Sequence, residues 1–288
     1  MKITKEKFIF FLLSLIALFP LAIAVAWPGN KLHFIACNVG QGDAILITQA
    51  DIQVLVDGGP NNQVLDCLTD HLPFWDREIE LVVSTHQDKD HLSGLVDVLA
   101  NYQVNQLVIN SLLVDTAVFR QFRQLVREKM IPVYSPQQGD IIKIGKLRFK
   151  VLWPQEKKGS LAMWQPKNSS QPVLGQETYQ GKTNINSIVL HFQYQDFDAL
   201  LTGDISAKEE KEIIKNYQFS DIEVLKVAHH GSKYSSSQEF LQAVKPKIAI
   251  ISVGKNPWGH PTKEVLSRLK KVGAKILRTD KEKVNLLI

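Results

Sequence analysis

The sequence predicts one mixed α/β domain in which two β-sheets carry helices on their outer faces. Short β-rich segments follow one another closely near the start of the chain, as in a meander, whereas later strands alternate with helices. The chain has 288 residues, of which 44% are hydrophobic and 22% charged. This is an ordinary globular composition and excludes a disordered or collagen-like protein. No internal repeat or linker divides residues 31–288.

Hydrophobic periodicity gives the individual elements. Predicted strands span residues 32–37, 44–48, 52–56, 80–84, 106–109, 147–152, 187–193, 198–201, 222–227, 248–252, 275–277 and 284–288. Predicted helices span 63–72, 91–102, 116–130, 206–216 and 261–272. The helix at 116–130 is the clearest, with Val118, Phe122 and Val126 on one face, and the helix at 261–272 has Pro261 at its first position. Residues 154–186 show no periodicity, and a loop of this length is functional or disordered.

The first 26 residues are predicted to be a targeting segment outside the folded domain. Lys2, Lys5 and Lys7 precede an uncharged, mostly apolar stretch at 8–27, which is the order found in a secretory signal. Small residues at 22–26 fit a cleavage site, but about 20 apolar residues are also long enough for an uncleaved membrane anchor. Both readings predict an exported domain, either extracellular or periplasmic, or held at the outer face of the cytoplasmic membrane.

Charge and cysteine content limit the functional classes. The 34 basic and 29 acidic residues give a net charge of +5, too small an excess for a nucleic-acid-binding tail. Cys37 and Cys67 are the only cysteines, which excludes a disulfide framework and a zinc-finger cluster. Export permits a disulfide between them, and two buried thiols are an equally good alternative.

The strongest local pattern runs from Thr85 to His91. It follows a hydrophobic strand and places His86, Asp88, Asp90 and His91 within six residues. Imidazoles and carboxylates at this density suit one or two divalent metal ions. A polar turn with Asp90 as a helix cap is the alternative.

Three further predicted strands end in residues of the same chemical type. Asp57 follows the strand at 52–56, Asp204 follows the strand at 198–201, and the pair His229–His230 follows the strand at 222–227. Any one of these ends could be a solvated turn. Their recurrence predicts that the strand ends converge at one rim.

These residues resemble a known family. The pattern His86-x-Asp88-x-Asp90-His91, the strand end Gly203-Asp204 and the late histidine resemble the metallo-β-lactamase superfamily. Further strings, at 39–44, 186–190, 229–232 and 259–261, are similar to the hydrolase domain of the ComEC DNA-uptake proteins and their stand-alone relatives. The resemblance covers about residues 31–288. It implies a four-layer αββα sandwich with metals at the edge between the sheets.

The resemblance also implies roles for individual residues. His86 and Asp88 would bind a first metal, Asp90, His91 and His229 a second, and Asp204 would bridge the two. Asp57 would orient a ligand, and Asp43 and Asn186 would support the site through hydrogen bonds. His230, Ser232 and His260 would line the site and hold a phosphate or protonate a leaving group. Asp90, His230 and His260 are thus the expected catalytic residues, with Lys233 as a substrate contact.

The sequence departs from the superfamily pattern at two points. Many members have His where Asp88 stands, and they carry an additional His before the Asp204 strand. Here His191 lies inside a predicted strand and is a poor candidate for that ligand. One or two metal ions therefore remain open, and Asp88 shifts the ligands toward oxygen, which makes Mn²⁺ a rival to Zn²⁺.

The leading hypothesis is an exported metal-dependent phosphodiesterase or nuclease that acts on DNA. Metals lower the pKa of bound water and provide hydroxide as the nucleophile, and no Gly-x-Ser-x-Gly nucleophile motif occurs. Four lysines near the late motifs either bind backbone phosphates or serve only solubility: Lys226, Lys233, Lys255 and Lys263. Trp164 and Trp258 either stack on bases or anchor their loops.

Two alternatives remain at this stage. One is a hydrolase of another exported ester, such as a cell-wall phosphodiester, a phosphorylcholine-type ester or a β-lactam, with residues 154–186 as a lid. The other is a non-catalytic, metal-stabilised module tethered to the membrane. The partners expected across these hypotheses are nucleic acid, the membrane through the N-terminal segment, and a DNA-uptake channel protein. The sequence does not indicate the oligomeric state.

Overall fold

The structure is a computed structural model that describes residues 29–155 and 182–288. The predicted leader and most of the predicted 154–186 loop, including Trp164, lie outside the described residues. Within the two described ranges, none of the helices combines the length and apolar character needed to cross a bilayer.

Sixteen strands and six α-helices make up the described part of the chain. The strands are β1 (Leu32–Ala36), β2 (Ile45–Gln49), β3 (Ile52–Val56), β4 (Glu78–Ile79), β5 (Leu81–Ser84), β6 (Gln103–Val104), β7 (Leu107–Ile109), β8 (Val133–Tyr134), β9 (Ile141–Ile144), β10 (Leu147–Trp153), β11 (Val189–Tyr194), β12 (Phe197–Leu201), β13 (Val224–Lys226), β14 (Ile248–Ile251), β15 (Lys275–Arg278) and β16 (Val284–Leu287). The α-helices are α1 (Gln63–His71), α2 (Lys89–Asn101), α3 (Ala117–Glu128), α4 (Ala207–Asn216), α5 (Gln238–Val244) and α6 (Lys263–Lys271). Two 3-10 helices span Thr183–Asn186 and Ala228–Gly231.

Two seven-stranded sheets form the centre of the domain. The first sheet has the order β16-β1-β2-β3-β5-β7-β8, and the second has the order β15-β14-β13-β12-β11-β10-β9. β3, β5, β7 and β8 run parallel in the first sheet, as do β12, β13, β14 and β15 in the second. Ligand sites in such sheets lie beyond the carboxyl ends of the parallel strands.

Alternation along the strands builds three apolar layers. In β1, Phe34 belongs to the layer between the sheets, whereas the adjacent Ile35 packs with residues of α1, α2 and α3. Phe34 of the first sheet lies 6.4 Å, centroid to centroid, from Phe192 of the second. A third layer buries Leu200 and other second-sheet residues beneath α4, α5 and α6, for example beneath Phe240. The predicted αββα sandwich is confirmed.

Close backbone contact fixes the start of α2 against the loop after β3. The Gly58 N–H donates to the His91 carbonyl at 2.7 Å, and the Gly94 N–H donates to the Gly59 carbonyl at 2.9 Å. A Cβ on Gly94 would lie 1.9 Å from the Gly58 oxygen. A side chain at Gly94 would therefore push α2, with His91 on it, away from the site.

Several predicted helices need correction. In α3, Phe119 joins the predicted face: Phe119, Phe122 and Val126 are buried, and Val118 is partly buried against the same apolar layer. The helix predicted at 261–272 begins at Lys263, after a cis His260–Pro261 bond and a Thr262 cap. Pro261 is therefore not its first residue.

Two elements of the second half carry polar features that the sequence pattern did not indicate. The helix predicted as exposed, α4, buries Glu209 and Glu210. Glu209 completes a capping box with Ser206, and the Glu210 carboxylate accepts the Ser237 N–H at 2.8 Å. α5 had no sequence prediction; it is only seven residues long and begins after the Ser237 cap.

A disulfide joins Cys37 and Cys67, so the structure selects one of the two alternatives for the cysteines. It connects the end of β1 to α1 and leaves no free cysteine in the chain. Cys37 immediately precedes the loop that carries Asp43, and the link therefore fixes one end of that loop.

Candidate metal centre

The strand ends converge, as the sequence predicted. β3 and β5 of the first sheet, and β12 and β13 of the second, deliver their terminal residues to one edge of the sandwich. One ligand atom from each of Asp90, His91, Asp204 and His230 lies within 4.8 Å of all the others. This arrangement, called the metal cluster below, gathers residues from both sheets.

Hydrogen bonds that Asp57 accepts hold the first-sheet side of the cluster. Asp57 Oδ2 accepts from His91 Nδ1 at 2.9 Å and from the Thr85 hydroxyl at 2.7 Å, and its Oδ1 accepts the Thr85 N–H at 2.8 Å. With Nδ1 engaged, His91 turns its Nε2 toward Asp204 Oδ2, 3.4 Å away. In metal sites, a histidine ligand is commonly oriented by a carboxylate that accepts a hydrogen bond from the ring nitrogen not facing the metal.

His86 and Asp88 lie beside this pair. The His86 ring is fully buried, 4.0 Å from the His91 ring between centroids, and its Nδ1 lies 3.0 Å from the Thr85 hydroxyl. His86 Nε2 faces Asp88 Oδ2 at 3.8 Å. Asp88 is the N-cap residue of α2, and its other oxygen accepts from the Thr183 hydroxyl. His86 and Asp88 are therefore close enough to contact the same metal ion.

The second-sheet side depends on a turn with unusual backbone angles. His229 and His230, in the 3-10 helix after β13, have φ values of 50° and 53°. Such left-handed angles cost energy in non-glycine residues and are concentrated at functional sites. The turn directs His230 inward, where its Nε2 lies 3.3 Å from Asp90 Oδ2 and 3.5 Å from Asp204 Oδ2.

A buried ion pair supports His230 from behind. His230 Nδ1 is 2.9 Å from the Ser252 carbonyl and 3.3 Å from Asp43 Oδ1. The other Asp43 oxygen lies 2.5 Å from the Lys226 ammonium, which also donates to the Val227 carbonyl at 2.9 Å. Lys226 is only 2% exposed. The sequence-based placement of Lys226 on a phosphate-binding surface is therefore wrong.

The donor atoms in the cluster are suited to a cation. Among the buried atoms that lack a hydrogen-bond partner in the described part of the chain, four are potential metal ligands in or beside the cluster: His86 Nε2, His91 Nε2, His230 Nε2 and Asp204 Oδ1. Buried polar atoms are nearly always paired, and a divalent ion is a partner that accepts imidazole nitrogen and carboxylate oxygen together. The residues present therefore fit the metal that the fold implies.

The pKa directions lead to the same conclusion. Burial lowers the pKa of His91, but Asp204 and Asp57 outweigh burial and raise it well above its ordinary value. Burial also lowers the pKa of His230, yet Asp204 and Asp43 raise it to about 10. Burial raises the pKa of Asp204, but His230 and His91 hold it well below its usual range. The carboxylates of the cluster thus require positive charge, which a divalent ion supplies.

The geometry favours His230, rather than His229, as the late ligand. His230 is 1% exposed and belongs to the cluster. The His229 side chain is 34% exposed, and its Nε2 lies 3.9 Å from Asp204 Oδ2. His229 faces the solvent side of the cluster, next to His260, at 5.8 Å between ring centroids.

The cluster opens into a cleft of about 510 Å³, called the metal cleft below. It is lined by Gln41, Pro60, Asp88, Lys89, Asp90, Asn184, Asp204, His229, His230, Lys255, Pro257, Trp258 and His260. Burial lowers the pKa of His260, and the neighbouring His229 and His230 lower it further. His260 is therefore neutral near pH 7 and can exchange a proton with a ligand in the metal cleft.

Other predicted residues lie outside the metal cleft lining. Ser232 is buried, and its Oγ accepts the Tyr234 N–H at 3.4 Å. Lys233 is exposed and places its ammonium 5.1 Å from the centre of the Tyr234 ring. Asn186 is buried, and its carbonyl accepts from Asn110 Nδ2 at 3.0 Å. These positions give Ser232 and Asn186 supporting rather than substrate-facing places.

Sequence reasoning gave no role to Gln41, Thr85 and Ser252 and misplaced Lys226, although all four residues shape the site. Thr85 stands inside the quoted 85–91 motif, and its position after a strand was the available signal. Gln41 Oε1 accepts the Gly254 N–H at 3.3 Å, across 213 residues of sequence. Ser252 contacts His230 through its backbone carbonyl. Every residue has such a carbonyl, so the sequence carried no indication of this role.

Fold and site together define a protein of the metallo-β-lactamase fold with a candidate metal centre at the edge between its two sheets. The metallo-β-lactamase fold protein YhfI from Bacillus subtilis superposes with a TM-score of 0.59 over 90% of this chain and 100% of its own, at 11% sequence identity. At that identity the similarity shows the fold alone. No protein-family model matches the chain.

Sequence relatives identify the homologous group. The chain is homologous to ComE operon protein 3 of Bacillus subtilis (strain 168), at 32% identity over 205 residues, which is 71% of this chain and 24% of that protein. It is also homologous to competence protein ComA of Neisseria gonorrhoeae, at 27% identity over 261 residues, which is 88% of this chain and 32% of ComA. The chain therefore spans about a quarter to a third of the length of these relatives.

Proposed function

We propose that this protein is an exported, metal-dependent phosphodiesterase that cleaves DNA. One observation carries the proposal: ligand atoms of Asp90, His91, Asp204 and His230 lie within 4.8 Å of one another, and all of these residues except His91 line an open cleft. A divalent ion bound by these residues would supply Lewis-acid polarisation of a phosphodiester and a water molecule of lowered pKa.

The side chains divide into two positions for one or two ions. Asp90, His91 and His230 would hold one ion, His86 and Asp88 would hold a second, and Asp204 lies between the two groups. Three imidazoles and three carboxylates suit Zn²⁺ and Mn²⁺ alike. Asp57 and Asp43 orient His91 and His230 through the far ring nitrogens.

The solvent-facing histidines supply the remaining chemistry. His229 and His260 line the metal cleft without belonging to the metal cluster. We assign them contacts to the phosphate oxygens and proton transfer to the leaving alkoxide. This assignment keeps the role that the sequence analysis gave to His260 and exchanges the roles of His229 and His230.

DNA is the proposed substrate because of two lysines in the cleft and the names of the relatives. Lys89 and Lys255 both line the metal cleft, and lysines bind backbone phosphates. One relative is named a competence protein, and competence is the uptake of DNA. We propose the same context here, with a DNA-uptake channel protein as the partner.

Export is part of the proposal. The disulfide between Cys37 and Cys67 is typical of oxidising compartments outside the cytoplasm. Lys2, Lys5, Lys7 and the apolar stretch at 8–27 provide the leader or anchor. In cells, maleimide labelling after denaturation should leave both cysteines unmodified unless a reductant is added.

The decisive experiment compares two adjacent histidines. The full-length chain, purified in detergent, is loaded separately with Zn²⁺ and Mn²⁺ and assayed on DNA, bis-p-nitrophenyl phosphate and nitrocefin. His230→Ala should lose bound metal, measured by elemental analysis, together with activity. His229→Ala should keep the metal while turnover falls.

Three results would contradict the proposal. A wild-type chain that stays metal-free in both ions has no metal centre, and cleavage of nitrocefin alone identifies a different hydrolase. Metal loss from His229→Ala but not from His230→Ala would reverse the ligand assignment.

A further inference from the structure

The loop at 254–262 carries the strongest unassigned feature of the metal cleft, an exposed tryptophan. Trp258 is 64% exposed although its large indole is mainly apolar. Among the described residues, the other strongly exposed aromatic side chains, such as Phe74 and Tyr234, lie outside the metal cleft lining. A tryptophan that merely anchored its loop would be packed rather than presented to solvent.

The loop that presents Trp258 is internally braced. Asn256 Nδ2 donates to the carbonyls of Gly254 and His260, both at 2.9 Å, and Asn256 Oδ1 accepts the His260 N–H at 2.9 Å. At its far end, the Thr262 N–H donates to the Gly231 carbonyl at 3.0 Å. The backbone that carries Trp258 is therefore ordered before any ligand arrives, which lowers the entropic cost of binding.

A row of rings connects Trp258 to the metal cluster. The Trp258 ring lies 6.2 Å from the His260 ring and is tilted 30° from it, and the His260 ring lies 5.8 Å from the His229 ring. His229 Nε2 is 3.9 Å from Asp204. A flat group stacked on Trp258 would thus sit two ring positions from the cluster, on the wall that also carries Lys255.

We propose that Trp258 and Lys255 form a nucleobase subsite, in which an unpaired base flanking the scissile phosphate stacks on Trp258 while Lys255 contacts its phosphate. Aromatic stacking of this kind tolerates any base and is strong for unpaired ones. A base in a duplex is already stacked and paired, and its flat face is not available. The substrate class is therefore single-stranded nucleic acid. This inference rests on the proposed phosphodiesterase function.

The test measures the dependence of cleavage on a base. Full-length protein is assayed on a single-stranded oligonucleotide, on the same strand with abasic sites, and on the matching duplex. Trp258→Ala should lower the ratio of kcat/KM between base-bearing and abasic strands about 10-fold, mainly through KM. Trp258→Phe, which keeps a flat ring, should restore most of the ratio. Trp75→Ala replaces a tryptophan outside the metal cleft and serves as the matched control.

Binding measurements separate this inference from the proposed activity. If Trp258→Ala lowers kcat/KM equally on base-bearing and abasic strands, Trp258 has only a structural role. If it changes kcat/KM on neither strand, the subsite does not exist. Either result leaves the proposed phosphodiesterase intact, provided that the wild type cleaves DNA. If wild type cleaves nothing, single-strand binding that prefers bases and depends on Trp258 supports the subsite and rejects the nuclease. Absence of both cleavage and base-dependent binding rejects both proposals.

Discussion

The two sides of the metal cluster hold their histidines in different ways. On the first-sheet side, the Asp57 carboxylate pairs with His91 and otherwise accepts hydrogen bonds from neutral donors, the backbone N–H and the hydroxyl of Thr85. On the second-sheet side, His230 leaves a backbone turn with positive φ and depends on Asp43, which is itself held by buried Lys226. The second side therefore contains a buried ammonium that becomes costly once its carboxylate partner is removed, whereas the described residues of the first side include no such lysine.

Asp204 is the residue on which the two sides meet, and its replacement should have the largest effect. Its Oδ2 lies within 3.9 Å of Nε2 atoms of His91, His229 and His230. Asp204→Asn keeps the shape but removes the charge, so bound metal and kcat should both fall, with kcat reduced more than ~100-fold. Asp198→Asn is the control, because Asp198 lies on β12, the strand that Asp204 follows, but pairs with His191. Full metal content and activity in Asp204→Asn would show that the two sides function separately.

Asp43 and Asp57 test the comparison directly. Each replacement by Asn should weaken metal binding about 10- to 100-fold, measured by competition titration, because each orients a histidine. Asp43→Asn should also cost about 3–5 kcal/mol in the free energy of urea unfolding, since it leaves the Lys226 ammonium buried and unpaired. Asp57→Asn should cost about 1–3 kcal/mol, the range for disrupted buried hydrogen bonds.

The double variant Asp43→Asn/Lys226→Met separates stability from metal binding. Removing both charges should recover most of the lost unfolding free energy. Metal affinity should stay low, because His230 still lacks its carboxylate partner. Recovery of both properties would show that Asp43 acts only through Lys226.

The pH dependence of the metal-free protein should reveal the demand for positive charge at His230. Its folded pKa, about 10, lies above its ordinary value of 6.5, so protonation favours the folded state. This stabilisation is complete below about pH 6.5 and is lost as the pH rises toward 10. Urea unfolding in chelator from pH 6 to 10 should show the decline, and His230→Gln should reduce it.

His191→Gln is the matched control for this measurement. Burial lowers the pKa of His191, so this histidine has no raised pKa in the folded state, and its replacement should not change the decline toward pH 10. Saturating metal should remove the decline in the wild type, because metal binding strengthens as the histidines lose their protons. A metal-free wild type with pH-independent stability would contradict the charge argument.

The sequence could indicate the candidate site because its candidate ligands directly follow strands, and these strands are recognisable as runs of hydrophobic residues. It assigned the metal to His229, whereas the geometry favours His230, because the directions of these adjacent side chains depend on backbone angles that no side-chain pattern encodes. It placed Lys226 at the surface because the partner carboxylate, Asp43, lies far away in the chain. Likewise, α5 was missed because a seven-residue helix is too short for its periodicity to be recognised.

The smallest expected effects on DNA binding come from replacing the two lysines of the metal cleft. They extend the comparison of the two sides from the metal cluster to the cleft around it. Lys89 stands at the start of α2 on the first-sheet side, and Lys255 follows β14 on the second. Each change to Ala should weaken single-strand binding a few-fold and reduce the slope of log affinity against log salt by about one. Because Lys89 and Lys255 lie on different elements, their effects on binding should add in the double variant.

Lys233→Ala, a change outside the metal cleft lining, should leave the salt slope unaltered. If Lys255→Ala alone changes the slope, the strand follows only the second-sheet wall, where Trp258 also lies. If Lys89→Ala alone changes it, the phosphates follow the first-sheet wall, and Lys255 cannot hold the phosphate of a base stacked on Trp258. Equal changes place the backbone between both walls, directly above Asp204, where residues of the two sheets meet.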